Sequence, residues 1–170
     1  MIFNCSWDTT VSLITCGYLF ILLIVIVGLA IPLVCHIKAK QILSVTLLVL
    51  GILLVVGVLL VPAIATPCRV SVENKTLTIH RVQKNIVISI ENIEEIRLCN
   101  DTDTHKSKRT FGSGGAFGYL GKFSNKQLGD YLMYVTDRSQ RILLKSDDKF
   151  LIFSCDHPEQ LVDLIKQQIP

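Results

Sequence analysis

Two long uncharged apolar runs within the first 66 residues constrain this chain more than any other feature. No charge occurs from Thr9 to Cys35, and residues 14–34 are dominated by Leu, Ile, Val and Phe. A second uncharged run extends from Gln41 to Cys68, with its apolar body at residues 42–65. At ~1.5 Å of rise per residue, each run exceeds the ~20 residues a helix needs to cross a bilayer core. Backbone groups in hydrocarbon must bond within their own segment, so both runs are expected to be helical. Pro32 and Pro62 lie near the ends of their runs, where interruption costs least. The connection His36-Ile37-Lys38-Ala39-Lys40 is short enough to force an antiparallel hairpin, with spans at about 11–35 and 42–65.

Charge is distributed as this division requires. The 170 residues are 50% hydrophobic and only 18% charged, with mean hydropathy +0.49, whereas soluble domains carry about 25% charge. Residues 1–66 hold only Asp8, Lys38 and Lys40, and every other charge follows Pro67. This pattern excludes a plain cytosolic enzyme, a disordered chain and a basic nucleic-acid binder. It leaves a membrane hairpin over 1–66 and a small domain over 67–170. The spans contain no Asp, Glu, Lys, Arg or His and no GxxxG motif, so they read as anchors rather than as a transport path or a pairing site. The N-terminal tail lacks the Lys or Arg of a signal peptide. Ala63-Ile64-Ala65 follows too long an apolar stretch to be a cleavage site, and Val34 is too bulky before Cys35 for a lipidation signal.

Beyond Arg69 the period changes from continuous apolar to alternating. Val70/Val72 and Leu77/Ile79 flank the turn-like Glu73-Asn74-Lys75, predicting a hairpin. Ile86/Ile88/Ile90 and Ile93/Ile96/Leu98 predict two further strands. Residues 131–135, 141–144 and 150–153 predict three more, separated by Asp137-Arg138-Ser139-Gln140 and Ser146-Asp147-Asp148-Lys149. Short segments with frequent turns imply an antiparallel sandwich or barrel. Leu161, Val162, Leu164, Ile165 and Ile169 return to helical spacing. Asp156 is placed to cap that helix, with Glu159 three positions on and Pro158 in the first turn.

This strand order with a terminal helix resembles the bacterial pleckstrin-homology (PH) domain family over roughly residues 69–169. The most specific stretch is Arg109-Thr110-Phe111-Gly112-Ser113-Gly114-Gly115-Ala116-Phe117-Gly118-Tyr119-Leu120-Gly121-Lys122-Phe123, followed by Gly129 and the 131–135 strand. The segment Ile152-Phe153-Ser154-Cys155-Asp156-His157-Pro158-Glu159 is also similar, with Cys155 where a proline is common. The resemblance implies a membrane α-helical hairpin carrying a mainly-β PH-like sandwich closed by one C-terminal helix. It also implies a multi-pass protein of the bacterial inner membrane. Arg69, Lys75, Arg81 and Lys84 after the second run outweigh Lys38 and Lys40 in the connection, favouring a cytoplasmic domain. Cys68, Cys99 and Cys155 form an odd set without metal-type spacing, which fits reduced thiols.

The glycine-rich segment is the candidate interaction surface. Gly112-Ser113-Gly114 lacks the helix a dinucleotide fingerprint needs, and Phe123 stands where a phosphate loop needs Ser or Thr. Phe117, Tyr119 and Phe123 share parity in an extended chain and are expected to project from one face. Lys106, Lys108, Arg109, Lys122 and Lys126 surround them. Arg109, Phe111, Phe117, Tyr119, Lys122 and Phe123 are therefore expected to form a basic-rimmed apolar loop that docks on a partner or on lipid headgroups. The competing reading has the rings cover one end of the sandwich while the lysines are solvated.

No catalytic, cofactor or metal residues emerge. His80, His105 and His157 have no ligand-spaced partner, and Cys99 near His105 does not by itself make a nucleophile–base pair. Glu94 and Glu95 point to opposite faces of a strand, and Asp101-Thr102-Asp103 reads as solvated loop charge. Glu73-Asn74-Lys75 supplies one Lys beside one Glu, so phosphoinositide binding is not supported. The expected function is a non-enzymatic membrane-anchored interaction module that binds a protein partner or itself, without nucleic acid. The alternative is anionic-lipid or phosphate-ligand binding by the basic rim.

Overall fold

The computed structural model describes residues 1–38 and 42–169. Ala39 and Lys40, in the expected connection, lie outside the described residues. A short strand, β1 (Ile2–Asn4), precedes the two long helices α1 (Thr9–Lys38) and α2 (Ile42–Ala65). His36, Ile37 and Lys38, expected in the connection, are instead the last residues of α1. Asp8 caps α1: its carboxylate accepts the Val11 N–H at 2.6 Å and its carbonyl accepts the Ser12 N–H at 3.0 Å. Both helices are long and apolar enough to cross a membrane. Their outer surfaces are exposed hydrocarbon, but Val11 and Thr15 are buried against the β-rich head.

The head contains nine further strands: β2 (Pro67–Glu73), β3 (Thr76–Arg81), β4 (Ile86–Ser89), β5 (Ile93–Leu98), β6 (Lys108–Gly115), β7 (Gly118–Asn125), β8 (Gly129–Val135), β9 (Arg141–Ser146) and β10 (Lys149–Ser154), then α3 (Pro158–Lys166). They form a four-stranded sheet, β1-β2-β3-β4, and a six-stranded sheet, β5-β9-β10-β8-β7-β6. Asn74 and Lys75 close β2–β3 with both residues at positive φ, as do Asp147 and Asp148 in β9–β10. Their backbone twist matches that of the flanking strands.

Two features depart from the expected antiparallel sandwich. β10 pairs with β8 in parallel, Phe150 opposite Tyr131 and Phe153 opposite Tyr134, because the β9–β10 hairpin inserts between β5 and β8. The N-terminal residues, expected to belong with the membrane hairpin, form the edge of the first sheet, with Phe3 opposite Val70. The tail also reaches the other sheet, since the Asp156 N–H donates to the Asn4 carbonyl at 2.8 Å. Asp156 therefore does not cap α3. Its carboxylate accepts the Ser6 N–H and hydroxyl, while His157, in the left-handed region, leads directly into Pro158.

The main core lies between the sheets. Val70, Val72, Leu77 and Ile79 face Ile96, Leu120, Ile142, Leu144 and Phe153, and Leu161, Val162 and Ile165 of α3 close the layer. Phe3 and Cys5 of the tail segment join this core. The six-stranded sheet is also apolar on its outer face, where Phe123, Tyr131, Met133, Val135, Leu143 and Ile152 cluster. The segment 99–107 borders that cluster: Cys99 packs on it, and the Tyr131 hydroxyl donates to Ser107 Oγ at 2.7 Å. Asp103, expected in solvent, is instead buried and accepts two bonds from the Arg97 guanidinium at 2.6 and 2.9 Å, plus the Asn100 N–H. Asp101 and Thr102 of that run are exposed, and Asp101 pairs with Arg141.

Phe3→Ala is expected to destabilise the head by about 3–5 kcal/mol, read as a lower thermal midpoint of the full chain in detergent. Asp103 supplies a pH signature. The Arg97 guanidinium donating to it lowers its native pKa below the ordinary carboxylate value. A depressed native pKa gives stability that is complete above about pH 4 and is lost as pH falls through the lower native value. Protection of the 99–107 amides against hydrogen exchange is thus expected to fall on acidification, and Asp103→Asn removes that dependence.

Candidate functional site: the glycine-rich hairpin

The segment expected to be a loop is a hairpin. Its glycines serve close backbone approach. Gly112 and Gly121 face each other across β6 and β7 at positive φ, and a Cβ on Gly112 would lie 1.9 Å from the Leu120 carbonyl oxygen. At the tip, Gly115 (φ +139) lies against α1, where a Cβ would sit 3.1 Å from Ile14 Cδ1. A side chain at either position would push the hairpin open or away from the helix.

Phe117 occupies the turn at φ 60, a conformation that bulky residues adopt only when their surroundings hold them. Both membrane-type helices hold it. The Phe117 N–H donates to Thr15 Oγ1 of α1 at 2.8 Å. The Thr66 hydroxyl, just beyond α2, shares its proton between the Phe117 carbonyl at 3.3 Å and the Pro62 carbonyl at 3.0 Å. The Phe117 ring meets Trp7 and Tyr18 edge-on, each centroid 6.1 Å away. Asp8 adds a second attachment: its N–H donates to the Thr136 carbonyl and its carboxylate accepts the Arg138 N–H.

The six expected surface residues therefore separate. Phe117 is half-buried, with its ring against Trp7 and Tyr18 of the chain itself. Phe123 is buried and stacked on Tyr131, with centroids 6.1 Å apart. Tyr119 is half-buried beneath the Arg138 guanidinium, 5.5 Å from its ring centroid. Tyr119 and Phe123 share the outer face of the sheet, but the left-handed turn takes Phe117 off it. The expected common face of three rings is thus corrected, and much of the covering role falls within the molecule. Arg109, Phe111 and Lys122 remain exposed, Phe111 at 72%. The expected basic rim also divides: Lys106, Lys108 and Lys126 line a recess beside His105, while Lys122 lines a groove with Phe111. That groove, about 510 Å³, runs between β6–β7 and the last turn of α2 at Val61, Pro62 and Ala65.

Sequence reasoning missed Trp7, Thr15, Tyr18 and Thr66. The available signal was placement, since Trp7 and Thr66 flank the spans while Thr15 and Tyr18 interrupt the start of the first. Elsewhere, burial pushes the Cys99 thiol up to about 11 and those of Cys5 and Cys155 up to about 12. These thiols stay protonated at neutral pH. Cys5, Cys16, Cys68, Cys99 and Cys155 are free thiols. Among the described residues, no group of three or more His, Cys, Asp or Glu is placed to hold a metal ion.

Phe117→Ala is expected to loosen the head from the helices by about 2 kcal/mol. Hydrogen exchange should rise at residues 9–18 and 115–119 while the β9–β10 core stays protected.

A family model described as a bacterial PH domain matches residues 68–169. Neither a curated protein nor a solved structure matches the chain. The match takes in β2 to β10 and α3 but leaves out β1 and both long helices. With its paired sheets and closing C-terminal helix, the chain belongs to the bacterial PH domain family.

Proposed function

We propose that the protein is a non-catalytic interaction module whose helical hairpin sits in the bacterial inner membrane and holds the PH-like head at the bilayer surface. Burial of Val11 and Thr15 against the head supports a span in α1 that begins beyond Tyr18. Residues 19–35 and 42–61 then supply about 26 and about 30 Å of helix, close to the thickness of a hydrocarbon core. Trp7, Tyr18 and Phe117 would occupy the interface that aromatic side chains favour. The pairing of β1 with β2 requires the N-terminal tail and the head to share one side. Arg69, Lys75, Arg81 and Lys84 on that side, against Lys38 and Lys40 on the other, favour the cytoplasm.

The module works by position. The clamp at Phe117 restricts the head's orientation, and membrane confinement raises its effective concentration toward anything else held there. The contact surface we infer is the outer edge of β6, for a protein partner or a second copy. The observation that carries it is that β6 terminates the six-stranded sheet while Phe111 stands 72% exposed on it. A strand from another chain can add to such an edge, with the charges of Lys108 and Arg109 selecting an acidic complement.

A photo-crosslinking residue at Arg109 in the full chain is expected to give a discrete adduct in cells. An adduct at twice the chain mass identifies self-association, and another discrete mass identifies a partner. Absence of both, with a control position active, refutes the reading. Direct binding of anionic lipid has its own supporting observation, the groove beside Phe111.

A further inference from the structure

The groove between the end of α2 and the β6–β7 hairpin combines hydrocarbon and unneutralised positive charge. Its membrane-side wall is Val61, Pro62 and Ala65, the last turn of the second apolar helix. The β3–β4 connection closes this end, with the Gln83 N–H donating to the Ile64 carbonyl at 3.0 Å. That bond carries Arg81 into the groove, where its guanidinium stacks 4.5 Å from the Tyr134 ring centroid and its Nε–H donates to the Lys84 carbonyl. Lys122 enters from β7.

The groove lining includes Arg81 and Lys122 and no Asp or Glu. Among the described residues, Arg81, Lys84, Arg109 and Lys122 make no ion pair, while the other ion pairs lie around Arg97, Arg141, Lys145 and Lys75. Phe111 and Val82 stand exposed at 72% and 69%, apolar side chains near this charge. A soluble anion would satisfy the cations but leave the α2 wall uncovered. An uncharged acyl chain would do the reverse.

We propose that this groove binds one anionic phospholipid of the leaflet facing the head. Its phosphate-bearing headgroup lies between Arg81 and Lys122, and an acyl chain follows Val61 into the hydrocarbon. The proposal rests on placing the hairpin in the bilayer as above. Two cations beside an anionic headgroup favour it over a zwitterionic one by roughly tenfold or more. The bound lipid would complete the contact between head and bilayer, leaving the outer edge of β6 free.

The test is native mass spectrometry of the full chain released from detergent, titrated with phosphatidylglycerol or with phosphatidylcholine of the same acyl chains. The wild type is expected to retain one phosphatidylglycerol with about tenfold preference. Arg81→Gln with Lys122→Gln should reduce that preference to near unity. Lys122→Arg, an exposed charge-preserving change, should keep it, and an unchanged thermal midpoint of the double variant shows that its loss of preference is not misfolding. Equal retention of both lipids, or a preference indifferent to the double variant, overturns the site. Binding of inorganic phosphate with the same variant sensitivity, or a protein adduct in place of lipid at a crosslinker on Lys122, overturns the choice of ligand. Carbonate extraction of cell membranes separates the two levels. A chain that extracts refutes the bilayer placement and the site with it, whereas one that resists extraction but shows no lipid preference refutes the site alone.

Discussion

The contact of one turn residue with two helices organises this molecule. Phe117 gives its N–H to Thr15 and accepts Thr66 at its carbonyl, so its peptide groups join the start of one apolar helix to the exit of the other. Neither bond requires a phenylalanine side chain. The ring adds the edge-on contacts with Trp7 and Tyr18, which bury hydrocarbon around those polar bonds. That surround helps maintain the positive φ of Phe117, since an aromatic residue would otherwise leave it. The glycines permit this approach, because a bulkier hairpin could not lie against Ile14.

The second organising element is the tail before the first helix. Asp8 caps α1 with one carboxylate oxygen and receives the Arg138 N–H with the other. Beyond it, β1 adds to the first sheet while Asn4 and Ser6 bond to Asp156 at the end of the second. The tail thus joins both sheets at the edge where α3 begins. Residues 67–170 alone would lack this strand, and Phe3 and Cys5 would be missing from the core.

Much of the head was legible because its signals are local. The apolar lengths, the period-two segments and the turns at Asn74-Lys75 and Asp147-Asp148 each report through adjacent residues. What escaped depends on distant partners. Ile2–Asn4 is too short to show a period, and its pairing is fixed only by Val70 and Asp156. The parallel placement of β10 beside β8 leaves no mark on either strand, since both are apolar on two faces. Asp103 looked like solvated charge because Arg97, its partner, lies on the preceding strand and only the folded loop joins them. The three rings failed as a surface because parity holds only in an unbroken strand, and Phe117 terminates it. For Arg109, Phe111 and Lys122 the residue types were informative, but the groove beside them needed α2 as its other wall.

Pairing of β1 with β2 also imposes an order on biosynthesis. The first strand emerges before either helix, yet its hydrogen-bonding partner follows both of them. Until that partner is made, the tail has no sheet to join. Once the head closes, withdrawing the tail would require breaking its sheet bonds and exposing Phe3 to water. Folding of the last-made part thereby locks the first-made part in place.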